Sequence, residues 1–188
     1  MPSPFAHLTA GYIVSRVYGD KLQLRGKPKQ AVLLKTALLA GISLLPDLDA
    51  VPGILLGDIG RFHNNASHSL LAGILVALLT ASLLSERIRA AWLPWFTASF
   101  FAYVLHVSMD MFTGDRGVLL LWPVPVRFTS PVKLFYGVQW GLGLFSLWHL
   151  WTIVSELLFF LVIFTLVRLF TALKTRIFHP VDNSGKIP

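Results

Sequence analysis

An apolar run from Trp92 to Phe112 closes on AYVLHVSMDMF, which places His106 and Asp110 four residues apart inside it. A helix brings positions i and i+4 onto one face, one turn apart. An imidazole and a carboxylate in such surroundings are costly to desolvate, so each needs a partner. Whatever this chain folds into must supply one. The pair alone leaves two options open. A buried His–Asp hydrogen bond can lock helix packing. An ionisable pair inside an apolar segment can also belong to a functional centre, a metal site above all.

The setting decides what kind of fold is involved. The 188 residues suffice for one domain, and 55% are apolar against 13% charged. With a mean hydropathy of +0.67, this composition implies an all-α, polytopic membrane bundle. There are no cysteines, which excludes disulfides, thiolate metal sites and cysteine nucleophiles. A metal would have to be held by His, Asp and Glu, a donor set suited to zinc or a harder divalent ion. The net charge of +7 fits basic cytoplasmic loops against anionic lipid, so membrane lipids are the expected partners and nucleic acid is not.

About five helices are predicted. Residues 2–18 begin with Ser3 and Pro4, an N-cap followed by a first-position proline, and carry His7. A basic loop, 19–30, precedes an apolar helix over 31–45 that Pro46 stops; Lys35 near its basic end can snorkel. Asp47 and Asp49 follow in PDLD, where an extended backbone would turn both the same way. The Pro- and Gly-broken stretch 51–62 is too short to span and is expected to be re-entrant or interfacial. HNNASH, residues 63–68, leads into a helix over 69–85, with Asn64, Asn65 and Ser67 as helix-start residues. On one continuous helix His63 and His68 would splay by about 140°. To share a site, His63 must lie in the loop and His68 at the helix start. Residues 92–112 form the next helix. Residues 113–137 hold Pro123, Pro125 and Pro131, and are expected to be an irregular loop over the site, with Arg116, Arg127 and Lys133 as candidates to meet an anionic substrate or lipid head groups. The last helix falls within 139–170 and carries His149 and Glu156 two turns apart. Residues 1–178 form one membrane-embedded domain, and 179–188 a polar tail.

Charge orders these helices across the bilayer. Six Lys/Arg lie in 16–35, two near residue 87, and four from Arg168 to Lys186. With alternating helix directions these regions share one side, which should be the cytoplasm. The N-terminus, Asp47, Asp49, His63, His68, His106 and Asp110 then gather at the opposite, extracytoplasmic face. Three to five His/Asp ligands can hold one or two divalent ions, which activate water and clamp a phosphoester. Asp49 or Glu156 is a candidate general base, or a partner that orients a His ligand. There is no HExxH, GxSxG or Walker motif. A metal or proton transporter, or a structural membrane protein whose His/Asp cluster locks helices, is the alternative reading.

The order of motifs resembles one family. Ser3-Pro4-Phe5-Ala6-His7 with Gly11-Tyr12, then PDLD, then His63 and His68 in H-x4-HSL, then His106 and Asp110 in H-x3-D, look like the YdjM family of bacterial inner-membrane proteins, described as membrane-bound metal-dependent hydrolases. That family is similar to the zinc-dependent phospholipase C and P1 nuclease superfamily. The resemblance implies an all-helical fold, phosphoester hydrolysis and zinc as metal. It implies that His7 and Asp110 share one ion, and that Asp47, His68, His106 and Asp110 hold another. A third ion in the soluble relatives uses a His-x3-Glu pair; here Glu156 is preceded four residues earlier by Thr152, with His149 at seven. His63 and His149 remain candidate outer partners of the ligands. Asn64 stands where the family usually has a basic residue. A site at the outer face favours a phospholipid or lipid-linked phosphate as substrate.

Overall fold

The structure, a computed structural model, describes residues 2–24, 27–58, 61–88, 91–113, 116–139, 142 and 146–178. The expected polar tail, 179–188, lies outside the described residues. Among those described, the chain is helical, with five long helices and a short one. An isolated antiparallel bridge, Val118 to Phe128, is the extent of β pairing seen among them.

Helix α1 spans Pro4–Tyr18, and Ser3 caps it as the sequence predicts: its side chain accepts from the Ala6 N–H, with Pro4 in the first position. Helix α2 runs Pro28–Leu44, starting earlier than the apolar pattern because Pro28 takes its first turn. Pro46, lacking an N–H, ends it. The chain tightens there into a 3-10 turn, Leu45–Asp49. PDLD is therefore not extended, and Asp47 and Asp49 do not point the same way. The short α3, Ala50–Leu55, exposes Ile54 and Leu55, followed by exposed Leu56, as an interfacial segment would.

A second 3-10 turn, Ala66–His68, precedes α4, Leu70–Ile88. The cap of α4 is Ser69, whose Oγ accepts from the Ala72 N–H at 3.1 Å, rather than the expected Asn64, Asn65 or Ser67. Helix α5, Trp92–Met111, matches the sequence reading and supplies much of the core through Trp95, Ala98, Ala102, Tyr103 and Val107. Buried alanines 77 and 81 on α4 and 98 and 102 on α5 are small enough for close helix approach. Helix α6, Trp148–Phe178, begins and ends later than expected. Phe159 and Phe160 pack it against Ala6, Ala10, Met109 and Phe135.

Helices α1 and α2 cross closely at Gly11. A Cβ on Gly11 would fall 2.5 Å from both Ala40 Cα and Leu39 O, so α1 rests on the α2 backbone. The Ser15 and Thr36 hydroxyls meet 3.1 Å apart on the same interface. Lys35 also reaches across it, donating to the Gly19 carbonyl at 2.9 Å. The irregular stretch after α5 is fastened at both ends of its course. Ser130 N–H and Leu134 N–H donate to Met111 O and Phe112 O, and the Leu70 N–H of α4 donates to Leu120 O, each at 2.9 Å. It therefore lies where α4 begins and α5 ends.

Two stretches, Pro28–Leu55 and Trp148–Leu166, are long and apolar enough to cross a membrane; Leu70–Ser85 is apolar but shorter. The 15 residues of α1 fall below the roughly 20 that a spanning helix needs. Gly11→Ala tests the crossing. The added methyl meets backbone that cannot rotate away, so the variant should lose about 1–3 kcal/mol in unfolding measured in detergent.

Candidate metal centre

Most polar residues of the centre are delivered by helix ends or the turns beside them. His7 lies one turn into α1, with Gly11 on the same face letting that face close on α2. Asp47 and Asp49 come from the 3-10 turn at the end of α2. His68 closes the turn before α4, held there by Tyr103, whose hydroxyl donates to Ser67 O at 2.6 Å. His106 and Asp110 come from the last turns of α5. His63 sits in the loop, as a site shared with His68 requires.

Asp110 is the centre of this set. Its carboxylate lies 3.0 Å from His68 Nε2, and 3.6 Å from each of His7 Nε2 and His106 Nε2. Asp47 lies 3.5 Å from His106 Nε2, 3.8 Å from His68 Nε2 and 3.9 Å from His7 Nε2. The Nε2 atoms of His68 and His106 are 3.2 Å apart, and the His7 and His106 rings stack at 3.7 Å. Two groups result: His7, Asp47, His106 and Asp110; and Asp47, His63, His68 and Asp110. Donor atoms within each lie within 4.8 Å of one another. Both groups contain Asp47 and Asp110.

These residues fit a metal ion. His7, His68, His106 and Asp110 are buried, yet the Asp47 and Asp110 oxygens, both His7 nitrogens and His63 Nε2 make no hydrogen bond among the described residues. Buried polar atoms are normally satisfied, and atoms left so, converging from separate elements, are what an absent cation would satisfy. Tetrahedral ligands at zinc distances stand about 3.3 Å apart, close to the shorter of the separations seen here.

Asp49 works from outside. Its Oδ1 is 2.8 Å from His63 Nδ1 and its Oδ2 3.1 Å from His68 Nδ1, and Ser67 Oγ donates to Oδ2. His68 is thereby gripped by Nδ1, and its Nε2 is left to face Asp47 and Asp110, while His63 Nδ1 lies between Asp49 and Asp47, 3.9 Å from the latter. This is the carboxylate–histidine arrangement that orients metal ligands. Burial pulls the His68 pKa down, but the carboxylates of Asp110, Asp47 and Asp49 around the ring outweigh it and hold it well above the usual histidine value. Metal binding there must displace a proton, so apparent affinity falls as pH drops.

The remaining expected residues fall elsewhere. Glu156 bonds to Ser3 and belongs to neither group. His149 lies in the first turn of α6, also in neither group. Arg127 is exposed but tied to the neighbouring loop: it donates to Asn64 O at 3.1 Å, Gly117 O at 2.9 Å and Asn65 Oδ1 at 2.7 Å. Arg116 donates to His63 O. The two arginines clamp the loop that carries His63. Sequence reasoning placed His63 outside the ligand set, because a five-residue interval to His68 fixes no geometry once the helix is broken. The available signal was Asn64, whose left-handed φ of 61° is a conformation that asparagine tolerates.

The fold and centre together define an all-helical protein with long apolar segments and a buried His/Asp cluster able to hold a metal ion. The sequence matches the YdjM inner membrane protein family over residues 1–178, and the chain belongs to that family. Neither the curated proteins nor the solved structures contain a significant match.

Asp49→Asn tests the outer grip. An amide cannot accept from both imidazoles and Ser67 as the carboxylate does. Metal affinity should fall by about 10–100-fold, read by competition with a chelating dye.

Proposed function

We propose that the protein is a multi-pass, metal-dependent hydrolase of phosphoesters carried on a lipid, with its centre at the extracytoplasmic face and its C-terminus in the cytoplasm. The observation that carries this reading is the pair of two-His, two-Asp groups sharing Asp47 and Asp110. Zinc or a similar ion, one or two in number, would be held by His7, Asp47, His63, His68, His106 and Asp110. When bound, such ions activate water and neutralise charge on a phosphoryl group. Asp47 and Asp110 face both groups, so they set the relation between them. Asp49 orients His63 and His68.

Location supports the substrate class. The side chains of Asp47 and Asp49 keep 14% and 13% of their surface accessible, while the imidazoles behind them are buried. The open edge of the centre is thus acidic. Apolar groups lie on the neighbouring segments: exposed Ile54, Leu55 and Leu56 shortly after Asp49, and exposed Trp122, Val124 and Val126 on the loop tied to α4 and α5. Apolar surface on segments adjoining a buried polar centre suits a phosphoester that arrives at the bilayer surface. The excess of Lys/Arg near residues 16–35 and 168–186 supports the orientation. The likeness to the zinc-dependent phospholipase C and P1 nuclease superfamily supports the chemistry.

The test is direct. Purified protein should carry zinc or a related ion and hydrolyse a phosphomonoester, phosphodiester or phospholipid from a substrate panel. His68→Ala and Asp110→Asn should lose both metal and activity while remaining helical by circular dichroism. Full metal content in both variants, or metal-loaded protein inert across the panel, would defeat the reading. Metal flux into proteoliposomes would favour a transporter instead.

A further inference from the structure

Glu156 is buried deep in an apolar helix, and the chemistry above has no use for it. Both its oxygens are engaged: the Ser3 N–H donates to Oε1 at 2.7 Å, and Ser3 Oγ donates to Oε2. The same Oγ accepts from the Ala6 N–H at 3.4 Å. In a capping box, the N-cap hydroxyl serves the N–H three residues on, and a carboxylate at that third position returns to the N-cap N–H. Here the third position is Ala6, and α1 has no acidic residue in its first turn. The carboxylate comes from α6 instead.

We infer that Glu156 is a positioning residue: it completes the cap of α1 from the neighbouring helix and so fixes His7 at the centre. The link is short. The His7 N–H donates to Ser3 O at 3.4 Å, in the opening turn of α1, so the residue gripped by Glu156 anchors the turn that holds His7. Phe159 and Phe160, one turn further along α6, pack near Ala6 and Ala10 of α1. Glu156 thereby couples α6, otherwise largely exposed, to the placement of one ligand. The consequence for metal rests on the function proposed above; the latch itself does not.

The test uses full-length Glu156→Gln, Glu156→Ala and Ser3→Ala in detergent, with two readouts. One is amide hydrogen exchange over residues 5–10. The other is zinc retained per chain after dialysis. Glutamine can accept from the Ser3 N–H and donate to Ser3 Oγ, so Glu156→Gln should match wild type in both. Glu156→Ala should speed exchange about fivefold to tenfold, as loss of a cap implies, and weaken zinc retention. Ser3→Ala should speed exchange and decides the matter should Glu156→Ala fail to accumulate. Unchanged exchange in Glu156→Ala or Ser3→Ala would overturn the inference. So would zinc loss in Glu156→Gln with wild-type exchange, since that is the mark of a ligand or a proton carrier. A wild-type protein without metal would sink the proposed function, while the exchange readout would still judge the latch.

Discussion

The burial of the Asp110 carboxylate constrains everything around it. An uncompensated charge withdrawn from water costs several kcal/mol even after the surroundings relax. One imidazole on the same helix does not compensate it, for His106 lies 3.6 Å away and leaves the other carboxylate oxygen open. His68 before α4 approaches to 3.0 Å and His7 on α1 to 3.6 Å, so three separate chain segments meet at the end of α5. That requirement fixes which helix ends lie together: the start of α1, the end of α2, the start of α4 and the end of α5. A chain of short connections satisfies it when successive helices reverse direction.

The crossing at Gly11 shows how the backbone meets this demand. His7 and Gly11 are one turn apart on one face of α1. With no side chain at Gly11, α1 seats on Leu39 and Ala40 of α2. His7 is then carried within 3.9 Å of Asp47 at the end of that helix. A larger residue would lift α1 and open this distance. The glycine four residues after the histidine is thus part of the centre, although it contributes no donor atom.

Much of this was legible in the sequence, and the reasons are physical. The apolar periodicity and the Ser3-Pro4 start define helices because their signals are local. The gathering of His7, Asp47, His68, His106 and Asp110 at one end was legible because charge asymmetry and helix alternation are coarse properties of the whole chain. The relation of Asp47 to Asp49 was not. It depends on whether the backbone after Pro46 is extended or turned, and a 3-10 turn sends positions i and i+2 about 120° apart. That divergence separates their tasks, since Asp47 approaches His7, His68 and His106 by Nε2 while Asp49 takes the Nδ1 atoms of His63 and His68. Nor was the partner of Glu156 legible, because Ser3 lies 153 residues away and already had a complete local role as an N-cap. The hold of Arg127 on the loop that carries His63 was hidden for a similar reason: its acceptors are mainly backbone carbonyls, which no side-chain pattern reveals.

The distribution of buried polar groups gives the bundle two unlike halves. Among the described residues, the buried carboxylates and imidazoles are His7, His63, His68, His106, Asp110 and Glu156. All belong to the centre or to the cap one turn from it. Beyond them the buried side chains include Val14, Leu39, Ile42, Trp95, Ala98 and Ala102, with the small hydroxyls Ser15, Ser43 and Ser99 between them. The costly ionisable groups are concentrated where Asp47 and Asp49 retain contact with the exterior, so that their desolvation is shared within one cluster instead of being met separately along each helix.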